Sequence, residues 1–218
     1  MENLPDEPFV AVGNHCLLHS PLTCELYFPT KKNIWCTHEM MSAKEIPDYG
    51  DKTFWPGKSK GVAKMYRFFA WIISPVVAYV FKHSDTIPVY RDKRIVSTME
   101  QSVEGLKKGE NAVIFGESDE LHNNIVNDFN RGFVDVARLY YAKTKKCLTF
   151  VPMYNAVALK KVCFGTPIVY DPKAKPADER ERIVAHVKDE ITRVALELPA
   201  HRVVPFAPPA DGQNPMSK

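Results

Sequence analysis

The segment FVAVGNH, from Phe9 to His15, predicts the centre of an α/β fold, because it joins a buried strand to a polar turn. The four apolar residues from Phe9 to Val12 predict a strand that is covered on both faces. Gly13 and Asn14 predict the turn that ends it. Ligands of open α/β sheets bind at the carboxyl ends of strands, so His15 is a candidate site residue. A neutral imidazole at this place can take a proton from a hydroxyl group.

Further along the chain, apolar runs predict more strands, and helical patterns separate them. The predicted strands are 33–37, 86–90, 112–115, 148–153 and 161–164. The predicted helices are 97–108, 125–143 and 177–198. This alternation predicts an α/β fold with a mainly parallel, mixed sheet that is flanked by helices. We expect a single domain over 1–204 and a disordered tail over 205–218.

Composition and charge exclude several classes of protein. The chain has 218 residues, 45% of them apolar, which suffices for a core and excludes collagen-like or low-complexity structure. Its net charge of +3 is too small for a general nucleic-acid-binding surface. Five cysteines without a C-x-x-C pair predict free thiols in a reducing compartment. The acidic N-terminus shows no signal peptide, so we expect a cytoplasmic protein.

One apolar segment stands apart from the others. FFAWIISPVVAYVF, residues 68–81, has no charge, but it is shorter than the roughly 20 residues that cross a bilayer. Pro75 predicts a kink within it. Basic residues flank the segment: Lys58, Lys60, Lys64 and Arg67 before it and Lys82 after it. Two interpretations stay open, a buried core helix and a helix that lies in the interface of an anionic membrane.

Two further strand ends carry charged residues. Glu117 follows the strand 112–115 and Gly116, and it would share a sheet edge with His15. The alternative is an acid that merely favours a helix N-terminus. Arg91 follows the strand 86–90 and is a natural anion binder, although it could also belong to a solvated turn.

A metal site is a weaker alternative. His19 lies four residues after His15, a spacing that suits two ligands of one metal ion on a helix. Glu117 and His122 could converge on the same ion in space, and a metal-dependent hydrolase would use His15, His19 and Glu117. Pro21 predicts instead that a helix begins there, which leaves His19 in a turn. We expect no bound metal.

Four motifs in this order resemble the phospholipid/glycerol acyltransferase family, of the lysophosphatidic acid acyltransferase type. Asn14-His15 resembles the first motif, which is Asn-His followed by four residues and Asp. The segment 87–92 resembles the second motif, and 115–121 resembles the third, Phe-Pro-Glu-Gly-x-Arg-Ser. The segment 150–153 resembles the fourth, an apolar strand that ends in Pro. The similarity extends from about residue 9 to residue 170.

The resemblance implies O-acyl transfer without an acyl-enzyme, on a glycerolipid acyltransferase-like fold. His15 is then the general base on a hydroxyl acceptor such as a lysophospholipid or a glycerolipid. The acyl group would come from acyl-CoA or an acyl carrier protein, with no bound cofactor. Ser20, at the position of the motif Asp, and Glu117 complete the predicted catalytic residues. The predicted substrate-binding residues are Asn14, His19, Arg91, Gly116 and Ser118.

Three departures from the family pattern bear on the chemistry. Ser20 cannot supply the negative charge of the motif Asp, and losing such a carboxylate in an analogous triad costs about 10⁴ in rate. Glu117 and Asp119 are the nearest carboxylates that could replace it. Ser118 replaces a Gly, and Glu120 replaces an Arg where phosphate would bind. Two functions therefore stay open: an acyltransferase, peripheral on the inner face of the membrane, and a non-catalytic lipid- or acyl-binding protein on the same fold.

Overall fold

A computed structural model describes residues 4–16, 19–55 and 57–204 of the chain. The chain forms two compact units: the first comprises Met1–Ile34 and Met99–Lys218, and the second comprises Trp35–Thr98. The tail predicted over 205–218 lies outside the described residues.

The first unit is built on a mainly parallel sheet. Its strands are β1 (Phe9–Gly13), β2 (Lys32–Thr37), which begins in this unit, β4 (Asn111–Ile114), β7 (Thr149–Ala156), β8 (Lys161–Phe164) and β9 (Ile168–Val169). β1 lies between β4 and β7 and is parallel to both, and β2 is parallel to β4. β8 and β9 pair with β7 in the antiparallel direction. The predicted mixed, mainly parallel α/β class is confirmed.

Helices cover this sheet because each has one apolar stripe to bury. They are α1 (His19–Tyr27), most of α4 (Ile95–Lys107), α5 (Asp135–Thr144) and α6 (Pro176–Glu197). α6 contacts β7 and buries residues at helical spacing, as its sequence predicts. All of β1 is buried, which agrees with its uninterrupted apolar sequence.

A hairpin replaces the first part of the helix that was predicted over 125–143, so this part of the prediction is wrong. β5 (Glu117–Leu121) pairs with β6 (Asn127–Phe129) in the antiparallel direction, and the helix begins only at Asp135. The hairpin forms instead of a helix because polar side chains form hydrogen bonds with backbone groups in a non-helical conformation. Oδ1 of Asn123 accepts hydrogen bonds from the N–H groups of Ile125 and Val126.

The second unit packs a long helix on a small apolar cluster. Its elements are α2 (Ile46–Thr53), α3 (Lys60–His83) and β3 (Thr86–Val89). Met40, Ile46 and Ala78 form the buried centre of the cluster. α3 begins eight residues before the apolar segment of the sequence and continues through Pro75. Among the described residues, no helix combines the length and the apolar character that crossing a membrane requires.

Candidate active site

The pairing of β1 with β4 brings His15 and Glu117 together. Val10 pairs with Ala112 and Val12 pairs with Ile114, so each partner lies 102 positions later in the chain. His15 and Glu117 have the same separation, just beyond the two strand ends. The backbone N–H of His15 donates a hydrogen bond to Oε2 of Glu117. The sheet edge predicted to carry both residues therefore does so.

The Glu117 carboxylate is buried and binds two separate segments of backbone. Its Oε1 accepts a second hydrogen bond, 2.9 Å long, from the N–H of Asn127 in β6. Burial raises the pKa of Glu117 from 4.5 to about 7, while the two N–H donors favour the ionised form and oppose this rise. The carboxylate therefore joins the turn after β1 to the β5–β6 hairpin.

The imidazole of His15 packs against the ring of Phe115 beside this turn. The residue is partly exposed, and the edge of one ring faces the other between His15 and Phe115, with 5.6 Å between centroids. Desolvation lowers the pKa of His15 below its ordinary 6.5. The ring is therefore neutral at neutral pH, which is the form that can accept a proton from a hydroxyl group.

Asn14 connects the same turn to β7. Its Oδ1 accepts a 2.7 Å hydrogen bond from the N–H of Asn155, and its Nδ2 donates to Sγ of Cys16 at 3.1 Å. Both asparagines are buried. The sequence did not single out Asn155, because the predicted strand ended at Met153, whereas β7 continues to Ala156. The turn that carries His15 is thus held from Glu117 in β5 and from Asn155 in β7.

The side chain of Ser20 forms hydrogen bonds with the backbone on both sides of His15. Its buried hydroxyl donates to the carbonyl oxygen of Asn14 at 2.9 Å and accepts from the N–H of Cys16 at 3.1 Å. Both hydrogen bonds of the Ser20 hydroxyl therefore go to backbone atoms next to His15. A catalytic role for Ser20 stays a prediction.

The remaining residues that the sequence predicted for substrate binding are His19, Ser118, Gly116 and Arg91. His19 is exposed at the start of α1, and Ser118 is partly exposed in β5. The carbonyl oxygen of Gly116 accepts a 2.9 Å hydrogen bond from the N–H of Asn130. Arg91 is exposed in the second unit. Substrate binding by these four residues stays a prediction.

No three His, Cys, Asp or Glu side chains are grouped to hold a metal ion in the part of the chain that the structure describes.

An apolar groove of about 150 Å³ lies between α1 and β8 in the first unit. Its lining residues are Thr23, Cys24, Tyr27, Phe28, Pro29, Val162 and Phe164. Sγ of Cys24 contacts Sδ of Met153 at 3.8 Å, in the strand beside β1.

No protein-family model and no curated protein matches the chain. Among solved structures, the chain is similar to the 1-acyl-sn-glycerophosphate (LPA) acyltransferase PlsC from Thermotoga maritima. The sequence identity is 18%, the alignment covers 92% of this chain and 70% of that chain, and the TM-score is 0.47. A likeness with a TM-score below 0.5 does not identify the function of the chain.

Proposed function

We propose that the chain transfers an acyl group from a thioester to a hydroxyl group, with His15 as the general base. One observation carries the proposal. A neutral, partly exposed imidazole lies at the shared carboxyl ends of β1 and β4, and its backbone is held by a buried carboxylate. This edge of a parallel sheet is where α/β proteins bind ligands, and proton abstraction needs a base in its neutral form.

The transfer needs one base and no covalent enzyme intermediate. His15 takes the proton of the acceptor hydroxyl as its oxygen attacks the thioester carbonyl carbon. A carbon–oxygen bond forms, the carbon–sulfur bond breaks, and the thiolate takes the proton back to leave as a thiol. The products are an ester and a free thiol, so acyl-CoA and an acyl carrier protein both qualify as donors. The motif resemblance favours a lysophospholipid or another glycerolipid as the acceptor.

Glu117 acts in this proposal as a positioning residue. Its oxygens accept from the backbone N–H groups of His15 and Asn127, so it holds the turn rather than contacting a reacting atom. A carboxylate that holds the base through the backbone does not replace the charge of the motif Asp. It does fix the backbone position from which the imidazole extends, and misplacing a base by about 1 Å can cost on the order of 100-fold in rate.

The apolar groove between α1 and β8 is the proposed place for the acyl chain. It is lined mainly by aromatic and aliphatic side chains, as sites for apolar ligands are. Cys24, one of its lining residues, contacts Met153 in β7, the strand beside β1. A Thr23→Trp variant, which would narrow the groove, is expected to lower turnover of long-chain donors more than turnover of short-chain donors.

A thiol-release assay tests the function. The protein is mixed with palmitoyl-CoA and a panel of hydroxyl acceptors, including lysophosphatidic acid, and mass spectrometry identifies the ester. We expect acceptor-dependent release of CoA that falls at least about 100-fold in His15→Ala. His122→Ala is the matched control, because this exposed histidine follows β5 at the opposite end of the strand from Glu117, and it should retain the rate. If no donor yields an ester with any acceptor, the proposal is wrong.

A second candidate function is acyl or lipid binding without catalysis. Ser20 favours it, because the residue at the position of the motif carboxylate is committed to the backbone of Asn14 and Cys16. A fluorescent fatty-acyl probe separates the two functions. Binding that is equal in the wild type and His15→Ala, together with an absence of turnover, would favour the non-catalytic protein.

A further inference from the structure

The helix α3 exposes an unusually large apolar surface. Eleven of its 24 residues are large hydrophobic side chains that are exposed, whereas only eight such residues occur in the rest of the described chain. We call these eleven the α3 surface: Val62, Met65, Tyr66, Phe68, Phe69, Trp71, Ile72, Ile73, Val76, Tyr79 and Val80. Trp71 is 68% exposed. Continuous apolar surface of this kind marks a site of interaction with a protein or a membrane.

Only a narrow stripe of α3 packs against its own unit. Ala70, Ser74 and Ala78 are the buried residues of the helix, and they lie four positions apart on one side. The hydroxyl of Ser74 donates to the carbonyl oxygen of Ala70, so the helix itself satisfies this buried polar group. The small residues allow close packing on the cluster around Met40 and Ile46. The large apolar side chains are therefore not needed for the core of the unit.

The charges on α3 all have one sign. The helix contains no Asp or Glu, and its lysines are Lys60, Lys64 and Lys82. None of these lysines forms an ion pair within residues 4–16, 19–55 and 57–204. Arg67 differs, because Asp48 and Asp51 bind it. Unpaired cations at both ends of an apolar helix complement an anionic surface.

The N-terminal end of α3 borders an open cavity of about 270 Å³. Its lining includes Trp55 and the cations Lys58 and Lys64, and also Asp51, whose charge is paired with Arg67. The rings of Trp55 and Tyr66 lie 5.6 Å apart, next to these cations. Aromatic rings with a polar atom prefer the boundary between lipid tails and water, where the headgroups lie.

A second copy of the chain is a poorer occupant for this surface. If two α3 helices packed together in an antiparallel pair, Lys60 of one copy would approach Lys82 of the other. No carboxylate on the helix could compensate the repulsion. A bilayer of anionic lipid covers the same apolar side chains and supplies the opposite charge.

We propose that α3 docks the second unit on the surface of an anionic membrane, lying parallel to it with the α3 surface among the lipid tails. The lysines at both ends then contact the phosphate groups. This inference does not depend on the chemistry of His15, so either one can fail while the other holds.

Vesicle flotation with the full chain tests the proposal. The probe is a set of vesicles made of equal parts phosphatidylglycerol and phosphatidylcholine, with pure phosphatidylcholine vesicles for comparison. We expect flotation with the anionic vesicles and on the order of 100-fold weaker binding when Lys60, Lys64 and Lys82 are all replaced by Gln, since each lysine near the surface contributes about fivefold. Trp71→Ser combined with Ile72→Ser should weaken binding roughly tenfold or more. Leu196→Ser, which changes an equally exposed apolar residue on α6, should bind like the wild type.

A second measurement locates the helix in the bilayer. Lipids brominated on their acyl chains should quench tryptophan fluorescence in the wild type, and Trp71→Phe should lose most of this quenching while still binding. Circular dichroism checks that each variant is folded. The proposal is overturned if the wild type does not float, if it binds both vesicle types equally, or if the serine variant binds normally. A dimer in solution that the serine variant dissociates would assign the α3 surface to a second copy instead.

Discussion

The backbone N–H of His15 donates a hydrogen bond to Oε2 of Glu117, a residue 102 positions later in the chain. The same separation relates the paired residues of β1 and β4. The bond therefore continues the alignment of the two strands past their ends, with a side-chain oxygen in place of a backbone carbonyl. Because the carboxylate is buried, its protonation state is coupled both to folding and to the position of His15.

The first prediction concerns stability against pH. Below pH 4.5 Glu117 is protonated in both the folded and the unfolded chain, and between 4.5 and about 7 only the folded chain keeps the proton. The folded state is therefore favoured at low pH, and this contribution is lost as the pH rises to about 7. A pKa that moves from 4.5 to about 7 corresponds to roughly 3 kcal/mol between these limits.

Urea unfolding at several pH values between 4 and 8 measures this effect in the wild type and in Glu117→Gln. A glutamine does not titrate, so the free energy of unfolding of the variant should not show the decrease that Glu117 causes as the pH rises from 4.5 to about 7. All other groups titrate in both proteins and cancel in the comparison. Parallel curves for the two proteins would show that Glu117 keeps its ordinary pKa in the folded chain.

The second prediction concerns the rate of acyl transfer, and it rests on the proposed function. As the pH falls through about 7, Glu117 takes up a proton, and one of its oxygens can no longer accept from an N–H group. We expect kcat/KM for thiol release to fall on the acid side with a midpoint near 7. In Glu117→Gln the maximal rate should be lower, and the midpoint should move below 6.5, where His15 itself becomes charged. An unchanged midpoint in the variant would contradict this account.

The sequence predicted the two strand ends that carry His15 and Glu117, because a continuous apolar run followed by Gly indicates a buried strand and its end. It could not predict that Glu117 bonds to backbone, since this depends on the register between strands that are far apart in sequence. Asn155 was missed because Pro152 and Met153 suggested the end of a strand that continues further. The apolar spacing of 125–143 favoured a helix, whereas local polar bonds of Asn123 produce a hairpin there.

The third prediction tests the turn that Ser20 closes. Ser20→Ala removes a hydroxyl that both donates to the carbonyl of Asn14 and accepts from the N–H of Cys16, and it leaves these buried groups without their partner. We expect a loss of about 1–3 kcal/mol in the free energy of unfolding. Ser118→Ala is the control, since its hydroxyl accepts one long, 3.4 Å bond at an exposed N–H, and it should cost less than about 0.5 kcal/mol. Chemical denaturation of both variants measures the difference, and equal losses would show that the turn does not need the Ser20 hydroxyl.

The last prediction compares two glycines at the ends of neighbouring strands. A Cβ atom at Gly13 would lie 2.7 Å from Cε of Met153 and 3.1 Å from its carbonyl oxygen. The methyl group can move, but the carbonyl belongs to β7, so Gly13→Ala must separate β1 from β7 by a few tenths of an ångström.

We expect Gly13→Ala to cost about 1–3 kcal/mol of stability and to lower acyl transfer as well, since His15 lies two residues further on. A Cβ at Gly116 would meet its nearest neighbour, in Ile114, only at 3.5 Å, which is an ordinary contact. Gly116→Ala should therefore change the free energy of unfolding by less than about 0.5 kcal/mol. Thermal or urea unfolding of the two variants gives the comparison. If Gly116→Ala proves the more damaging of the two, β1 and β7 are not packed as closely beside the site as the structure shows.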